Sequence, residues 1–317
     1  MKNKKILILG ATGFIGLNLL IYFSKIKNYK VYACYNKRNK IKIKNVSWLK
    51  ADLRKYKEVE KIFTSYDYVF QAAATTSGSK DIVNEPYLHV TDNVIMNSLI
   101  LKACYKFKVK HFIFFSCTVM YHSSNKPLSE RQFNPSKSIN AKYFGVGNTK
   151  LYIEKMCEFY SSISDIKFTI IRHSNIYGPF DKFDLEKSHF FGATITKVLT
   201  AKTKLTIWGL GKEKRDFLYI DDLINFIKIV MIKQKNKFKI YNCSYGKSYS
   251  IKNITSKIIK ISNKKISIFH DKNAPNINTN ISISSKLARE ELNWKPKISI
   301  DKGILKTIKW WRENIKI

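Results

Sequence analysis

Residues 6–9 read Ile-Leu-Ile-Leu with no polar break, bounded by lysines on one side and Gly10 on the other. A short apolar run of this kind predicts a strand buried on both faces. It passes through Ala11-Thr12-Gly13-Phe14-Ile15-Gly16 into Leu17-Asn18-Leu19-Leu20-Ile21-Tyr22-Phe23, an apolar stretch that reads as a helix. The alternation then repeats. Strands are predicted at 30–35, 46–49, 67–71, 111–115 and 168–171, with helices near 57–64, 93–106 and 146–161. Strands separated by helices of this length point to an α/β fold with a doubly wound parallel sheet. After Tyr177-Gly178-Pro179 the pattern loosens into short elements and polar loops. We therefore expect a first domain over residues 1–178 and a smaller C-terminal lobe over 179–317. Residues 217–245 are expected to return to the first domain, with Tyr241-Asn242-Cys243 as a late strand.

The glycines between the first strand and helix give that turn its chemistry. Gly10 permits the tight turn off the strand, Gly13 lets the backbone approach a pyrophosphate, and Gly16 lets helix and strand pack closely. The free N–H groups and dipole of the helix start favour an anion there. This predicts a dinucleotide-binding Rossmann domain, with Thr12, Phe14 and Ile15 in the same turn. A glycine-rich turn in an unrelated protein needs neither the strand before it nor the helix after it. At the end of the second strand, Tyr35-Asn36-Lys37-Arg38 contains no acid to hold ribose hydroxyls. Arg38 suits a 2′-phosphate instead, so NADP(H) is favoured over NAD(H).

Composition mainly excludes. At 317 residues and 44% hydrophobic, the chain can bury a large core. It holds no apolar run of membrane-spanning length, so no membrane partner is expected. Five scattered cysteines without metal-ligand spacing fit a reduced, cytoplasmic protein without a metal. The net charge of +35 invites a nucleic-acid reading, but only seven of the 58 basic residues are arginine. Base and phosphate readers favour arginine for its bidentate fork, and these lysines are spread along the chain. No nucleic-acid partner is expected. The field still attracts small anionic substrates such as nucleotide diphosphates.

Several further motifs stand in order. Asp52-Leu53 and Ala72-Ala73-Ala74 follow the third and fourth strands. Arg172-His173-Ser174-Asn175-Ile176-Tyr177-Gly178-Pro179 comes next, then Trp208-Gly209-Leu210-Gly211, Arg215-Asp216-Phe217-Leu218-Tyr219-Ile220-Asp221-Asp222 and Leu292-Asn293-Trp294-Lys295-Pro296. Taken together with the glycines, they make the chain resemble the extended short-chain dehydrogenase/reductases that act on nucleotide sugars. The segment Asp181–His189 is similar to that of the GDP-L-fucose synthase group within this family, which epimerises and reduces GDP-4-keto-6-deoxy sugars.

The resemblance implies roles residue by residue. Asp52, Leu53, Ala72, Ala73 and Ala74 would line the dinucleotide, and Asn175, Trp208 and Arg215 the nucleotide-diphosphate sugar. His189 would act as an acid in epimerisation, a task suited to imidazole; the alternative is a histidine that only packs. Lys150 falls on the catalytic lysine, which also holds the nicotinamide ribose. The family's tyrosine, four residues earlier, is replaced by Val146, and none of the 18 tyrosines has a lysine four residues later. Tyr143 is the nearest, one helical turn upstream of the expected place. At the strand end, Cys117 stands where the family has serine, beside Ser116 and Thr118. Cys117 is either a weak donor, a thiolate base if Lys150 lowers its pKa, or inert packing. Thr118-Val119 replace the Asp-Glu pair of dehydratases in the superfamily. The expected function is therefore a nucleotide-sugar epimerase or 4-keto reductase of the kind that supplies polysaccharide synthesis, working as a homodimer. The alternative is a dinucleotide-binding protein with little redox turnover.

Overall fold

The computed structural model describes residues 3–76, 85–137, 139–185, 188–274 and 279–315. Glu186 and Lys187, within the segment compared above, lie outside the described residues. Six strands come in the order expected: β1 (Lys4–Leu9), β2 (Tyr29–Tyr35), β3 (Val46–Lys50), β4 (Tyr68–Gln71), β5 (His111–Phe115) and β6 (Lys167–His173). They alternate with the helices α1 (Phe14–Phe23), α2 (Tyr56–Ile62), α3 (Thr91–Lys106) and α4 (Phe144–Ser162). Among the later elements are β7 (Asn175–Tyr177), α5 (Phe190–Thr200), β8 (Lys204–Trp208), β9 (Lys214–Tyr219), α6 (Ile220–Lys233) and β10 (Phe238–Cys243).

The main sheet has seven strands in the order β10-β6-β5-β4-β1-β2-β3, every pair parallel. β1 therefore lies between β2 and β4, the point where the order of connections reverses. Open α/β sheets bind ligands at that crevice, outside the strand carboxyl ends.

Period-two alternation assigns each strand side chain to a layer. Ile6, Ile8, Ile113 and Phe115 join the core formed with α1 and α6. Leu7, Leu9, Phe112 and Phe114 join the opposite core, against α2, α3 and α4. A continuous apolar run such as Ile6–Leu9 is thus required on both faces at once. β10 adds to the outer edge of the sheet by pairing with β6 from Phe238↔Phe168 to Cys243↔His173. β7 and β9 belong to a separate four-stranded sheet beside the main one, and β8 pairs with a late strand, Ser267–Asp271. No helix among the described residues is long and apolar enough to cross a membrane.

Candidate active site

The glycine turn is a cradle with no room for side chains. Gly10 has φ +73°, and a Cβ on it would lie 2.6 Å from the Cα of Ala73. A Cβ on Gly16 would lie 2.2 Å from the carbonyl oxygen of Gly10. Gly13 caps α1 with no side-chain hydrogen bond, and the first turn holds no acid. The N–H groups at this helix start thus face the crevice without a side-chain anion to satisfy them, and the cradle fits the pyrophosphate of a dinucleotide. Thr12, Phe14 and Ile15 are half-buried along the same turn, while Ala72, Ala73 and Ala74 run past it from β4. At the other end, Arg38 is exposed in the connection after β2. Asp52 is held by Arg54 through bonds of 2.9 and 2.8 Å, and this hydrogen bonding keeps its carboxyl down to about 2. Arg54 also reaches Asp92 at 3.0 Å. Leu53 buries its side chain in the core.

The second half of the site lies beyond the ends of β5 and β6. Lys150, on α4, donates to the carbonyl oxygen of Phe115 at 2.9 Å, and its ammonium sits 4.7 Å from the centroid of the Phe114 ring. Burial lowers its pKa, while the groups of Cys117 and Glu154 act the other way. Burial raises the Cys117 thiol, and the opposing charge of Lys150 does not overcome it. Desolvation thus works against the thiolate alternative, and the lysine works for it. Thr118 is buried beside it, its carbonyl accepting from the Tyr121 amide at 3.0 Å.

One turn along α4 from Lys150, Glu154 anchors a buried network that the sequence motifs left unexplained. It accepts from Ser116 Oγ at 2.6 Å and from Arg172 Nη2 at 2.6 Å. Arg172 Nη1 donates to Tyr121 Oη at 3.0 Å, and that hydroxyl donates to Asn242 Oδ1 at 2.9 Å. The guanidinium lies 4.4 Å from the centroid of Phe133. Val146 is half-buried in the first turn of α4. Tyr143, 6% exposed, stands just before that helix in the 3-10 turn Ala141–Tyr143.

His173 ends β6. Its Nδ1 lies 2.8 Å from the carbonyl oxygen of Ser174, and its ring centroid is 6.3 Å from that of Phe115. Burial first, then the charges of Lys150 and His189, push its pKa down to about 4 against the Ser174 hydrogen bond. His189 caps α5. The protein packed around it, with Lys182, Arg215 and His89 adding positive charge, likewise lowers it to about 4. Its side chain nevertheless keeps substantial solvent contact. The segment leading to His189 is tied to the dinucleotide half through Asn18 Nδ2 on the Pro179 carbonyl oxygen at 3.0 Å and Lys182 Nζ on that of Thr76 at 3.2 Å.

Two groups therefore form around the expected residues. Cys117 shares its surroundings with Lys150, Glu154 and Arg172, and His189 with Lys182, Arg215 and His89. His173 is within electrostatic reach of both Lys150 and His189. Asn175 donates to the Asp216 carbonyl oxygen at 3.0 Å, linking β7 to β9. Trp208 is exposed at the end of β8, with Lys197 Nζ 5.9 Å from its ring centroid. Sequence reasoning had passed over His173 and Glu154. Spacing offered a signal for both: Glu154 lies four residues after Lys150 on one helix, and His173 alternates with Arg172 at a strand end.

Comparison with known proteins supplies a family. The pattern of the NAD dependent epimerase/dehydratase family matches residues 6–244. The chain is similar to GDP-L-colitose synthase of Yersinia pseudotuberculosis, 24% identical over 97% of each chain. It is also similar to GDP-L-fucose synthase of Sinorhizobium fredii, 27% identical over 84% of this chain and 86% of that one. Among solved structures, UDP-glucuronic acid 4-epimerase from Bacillus cereus, in complex with UDP-glucuronic acid and NAD, superposes with a TM-score of 0.84. The match is 25% identical and covers 98% of this chain and 99% of that one.

Proposed function

Because the chain belongs to the NAD dependent epimerase/dehydratase family, we propose that it epimerises a nucleotide-diphosphate sugar, reduces its 4-keto form, or does both. The observation that carries this reading is Lys150, anchored on the Phe115 carbonyl oxygen beside Cys117 and His173 at the carboxyl edge of the sheet. A bound nicotinamide dinucleotide supplies the hydride donor or acceptor. The ammonium of Lys150 holds the hydroxyls of its ribose and favours negative charge developing on a sugar oxygen. Cys117, as a thiol, donates weakly to the sugar, and His189 transfers a proton at the carbon beside the carbonyl. Arg215 and Asn175 face the sugar nucleotide, with Trp208 at the rim. The lack of an acid after β2 and the exposed Arg38 favour NADP(H). GDP-linked sugars come first for assay, since two of the sequence relatives, the colitose and fucose synthases, are named for GDP sugars.

The test is solvent deuterium uptake into GDP- and UDP-linked 4-keto sugars, read by mass spectrometry. His189→Ala should slow exchange by about a hundredfold or more, and Cys117→Ala should slow it to a smaller degree. Exchange at the wild-type rate in both variants overturns these roles. Val146, in place of the hydroxyl-bearing tyrosine, favours a second reading, a dinucleotide-binding protein with little turnover. Tight NADP⁺ binding with no exchange on any sugar would select it. The exposed side chains of Ile95 on α3 and of Phe144, Tyr152 and Phe159 on α4 support a homodimer joined through these helices.

A further inference from the structure

The replacement of the tyrosine by Val146 leaves the reacting sugar oxygen without its usual proton partner, and three neighbours do not fill the place. Burial pushes the Cys117 thiol up against the influence of Lys150. Tyr143 is buried at the start of α4, seven residues before Lys150. Glu154 is committed to Arg172 and Ser116 beneath the surface.

His173 differs from all three. Arg172 turns toward α4 to meet Glu154, so alternation along β6 sends His173 to the other side, where its ring meets Phe115. A carbonyl oxygen only accepts, so the 2.8 Å contact with Ser174 places the proton on Nδ1. That leaves Nε2 with a bare lone pair, and no hydrogen bond to it occurs among the described residues. Lys150 on α4 and His189 at the start of α5 lie within electrostatic reach. On the neighbouring strand its register partner is Cys243, a buried thiol held protonated by desolvation. The geometry points to His173 Nε2 as the group that exchanges a proton with the reacting sugar oxygen, in the role left open by the tyrosine. This rests on the nucleotide-sugar reading above and deepens it.

The step balances as follows. In the oxidising direction the sugar O–H bond breaks and its proton passes to Nε2. The C–H pair of the same carbon leaves as hydride to an oxidised nicotinamide dinucleotide, the co-reactant, and a C=O bond forms. Nδ1–H stays on the Ser174 oxygen throughout, and the positive charge of Lys150 disfavours the imidazolium, so the proton is returned in the reducing direction.

Two measurements test the proposal. The first needs no ligand: long-range proton–nitrogen NMR of the six histidines, with the His173 signals identified by their loss in His173→Gln. The expected result is a ring protonated on Nδ1 that stays neutral well below pH 6. A proton on Nε2, or titration at the ordinary histidine pH, overturns the proposal. The second is steady-state kinetics on a sugar nucleotide that the wild type converts. His173→Gln should lower kcat by about a hundredfold or more with little change in KM, and Val146→Tyr added to it should recover at least part of the loss. If the wild type converts sugar and His173→Gln keeps its kcat and pH profile, the proposal alone falls. If the wild type converts no GDP- or UDP-linked sugar, the functional reading falls and takes the proposal with it.

Discussion

Replacing Glu154 with glutamine should destabilise the protein far more than a change of one atom suggests. The two side chains are 2% and 3% exposed for Glu154 and Arg172, and three hydrogen bonds of 2.6–3.2 Å join them. In Glu154→Gln the guanidinium remains buried, with only the amide oxygen and the Tyr121 hydroxyl to meet it. Removing one partner of a buried pair costs about 3–5 kcal/mol, because the surviving charge is left uncompensated. A typical domain has only about 5–15 kcal/mol to lose. At roughly 2–4 °C per kcal/mol for a chain of this class, the melting temperature should fall on the order of 10 °C. Urea unfolding at pH 7, followed by fluorescence and circular dichroism, measures the loss directly. Adding Arg172→Met removes the stranded charge and should recover most of the stability. A single variant within about 1 kcal/mol of wild type would refute the argument, since it would mean that Arg172 is solvated despite its burial.

Burial raises Asp181 from 3.8 to about 7. A raised carboxyl stabilises fully below its unfolded pKa and loses that contribution as pH climbs from about 4 through 7. Asp181→Asn should thus match wild type at pH 4 and exceed it at pH 8 by roughly 2–4 kcal/mol, with equal stability at pH 8 in a denaturant series counting against it. Gly10→Ala should abolish NADP⁺ binding in calorimetry, because its Cβ meets the Ala73 backbone at 2.6 Å; wild-type affinity would show that the cradle opens freely. Arg38→Ala should weaken NADP⁺ by about tenfold, equal to about 1.4 kcal/mol, and leave NAD⁺ unchanged; parallel loss for both cofactors rules out a 2′-phosphate contact. Tyr152→Glu with Phe159→Glu should give monomers by light scattering at micromolar concentration, and a monomeric wild type excludes the helical dimer.

The sheet was legible where burial demanded an unbroken apolar run. His111–Phe115 was read with its observed bounds, because every one of its residues is buried. Helix starts were less legible. α3 begins at Thr91 without a side-chain cap, and α4 follows directly on a 3-10 turn, so neither announces itself in the sequence. The strands of the smaller sheet were hidden for another reason. β7 is three residues long and is fixed by its pairing with Phe217–Tyr219, some forty positions away. In the site, the glycine cradle could be read because each glycine answers a local steric need. The Glu154–Arg172 bond could not, since its partners lie on a helix and a strand whose juxtaposition is a property of the whole fold. His173 stood between recognised motif letters, and only its position at a strand end gives it meaning.

The way β10 joins the sheet limits how this molecule can be divided. The chain leaves the sheet at β6, builds β7–β9, and comes back to lay β10 against β6 from Phe238 to Cys243. A fragment ending at residue 178 would have to fold with the row of N–H and C=O groups on the outer side of β6 unpaired. It would also lack Ile220, Leu223 and Phe226 of α6, which fill the core against α1. An open parallel edge beside an uncovered apolar layer invites association with other chains. The two halves should therefore unfold in one cooperative event. An engineer who wants to exchange the second lobe must graft two discontinuous pieces and leave α6 and β10 where they are.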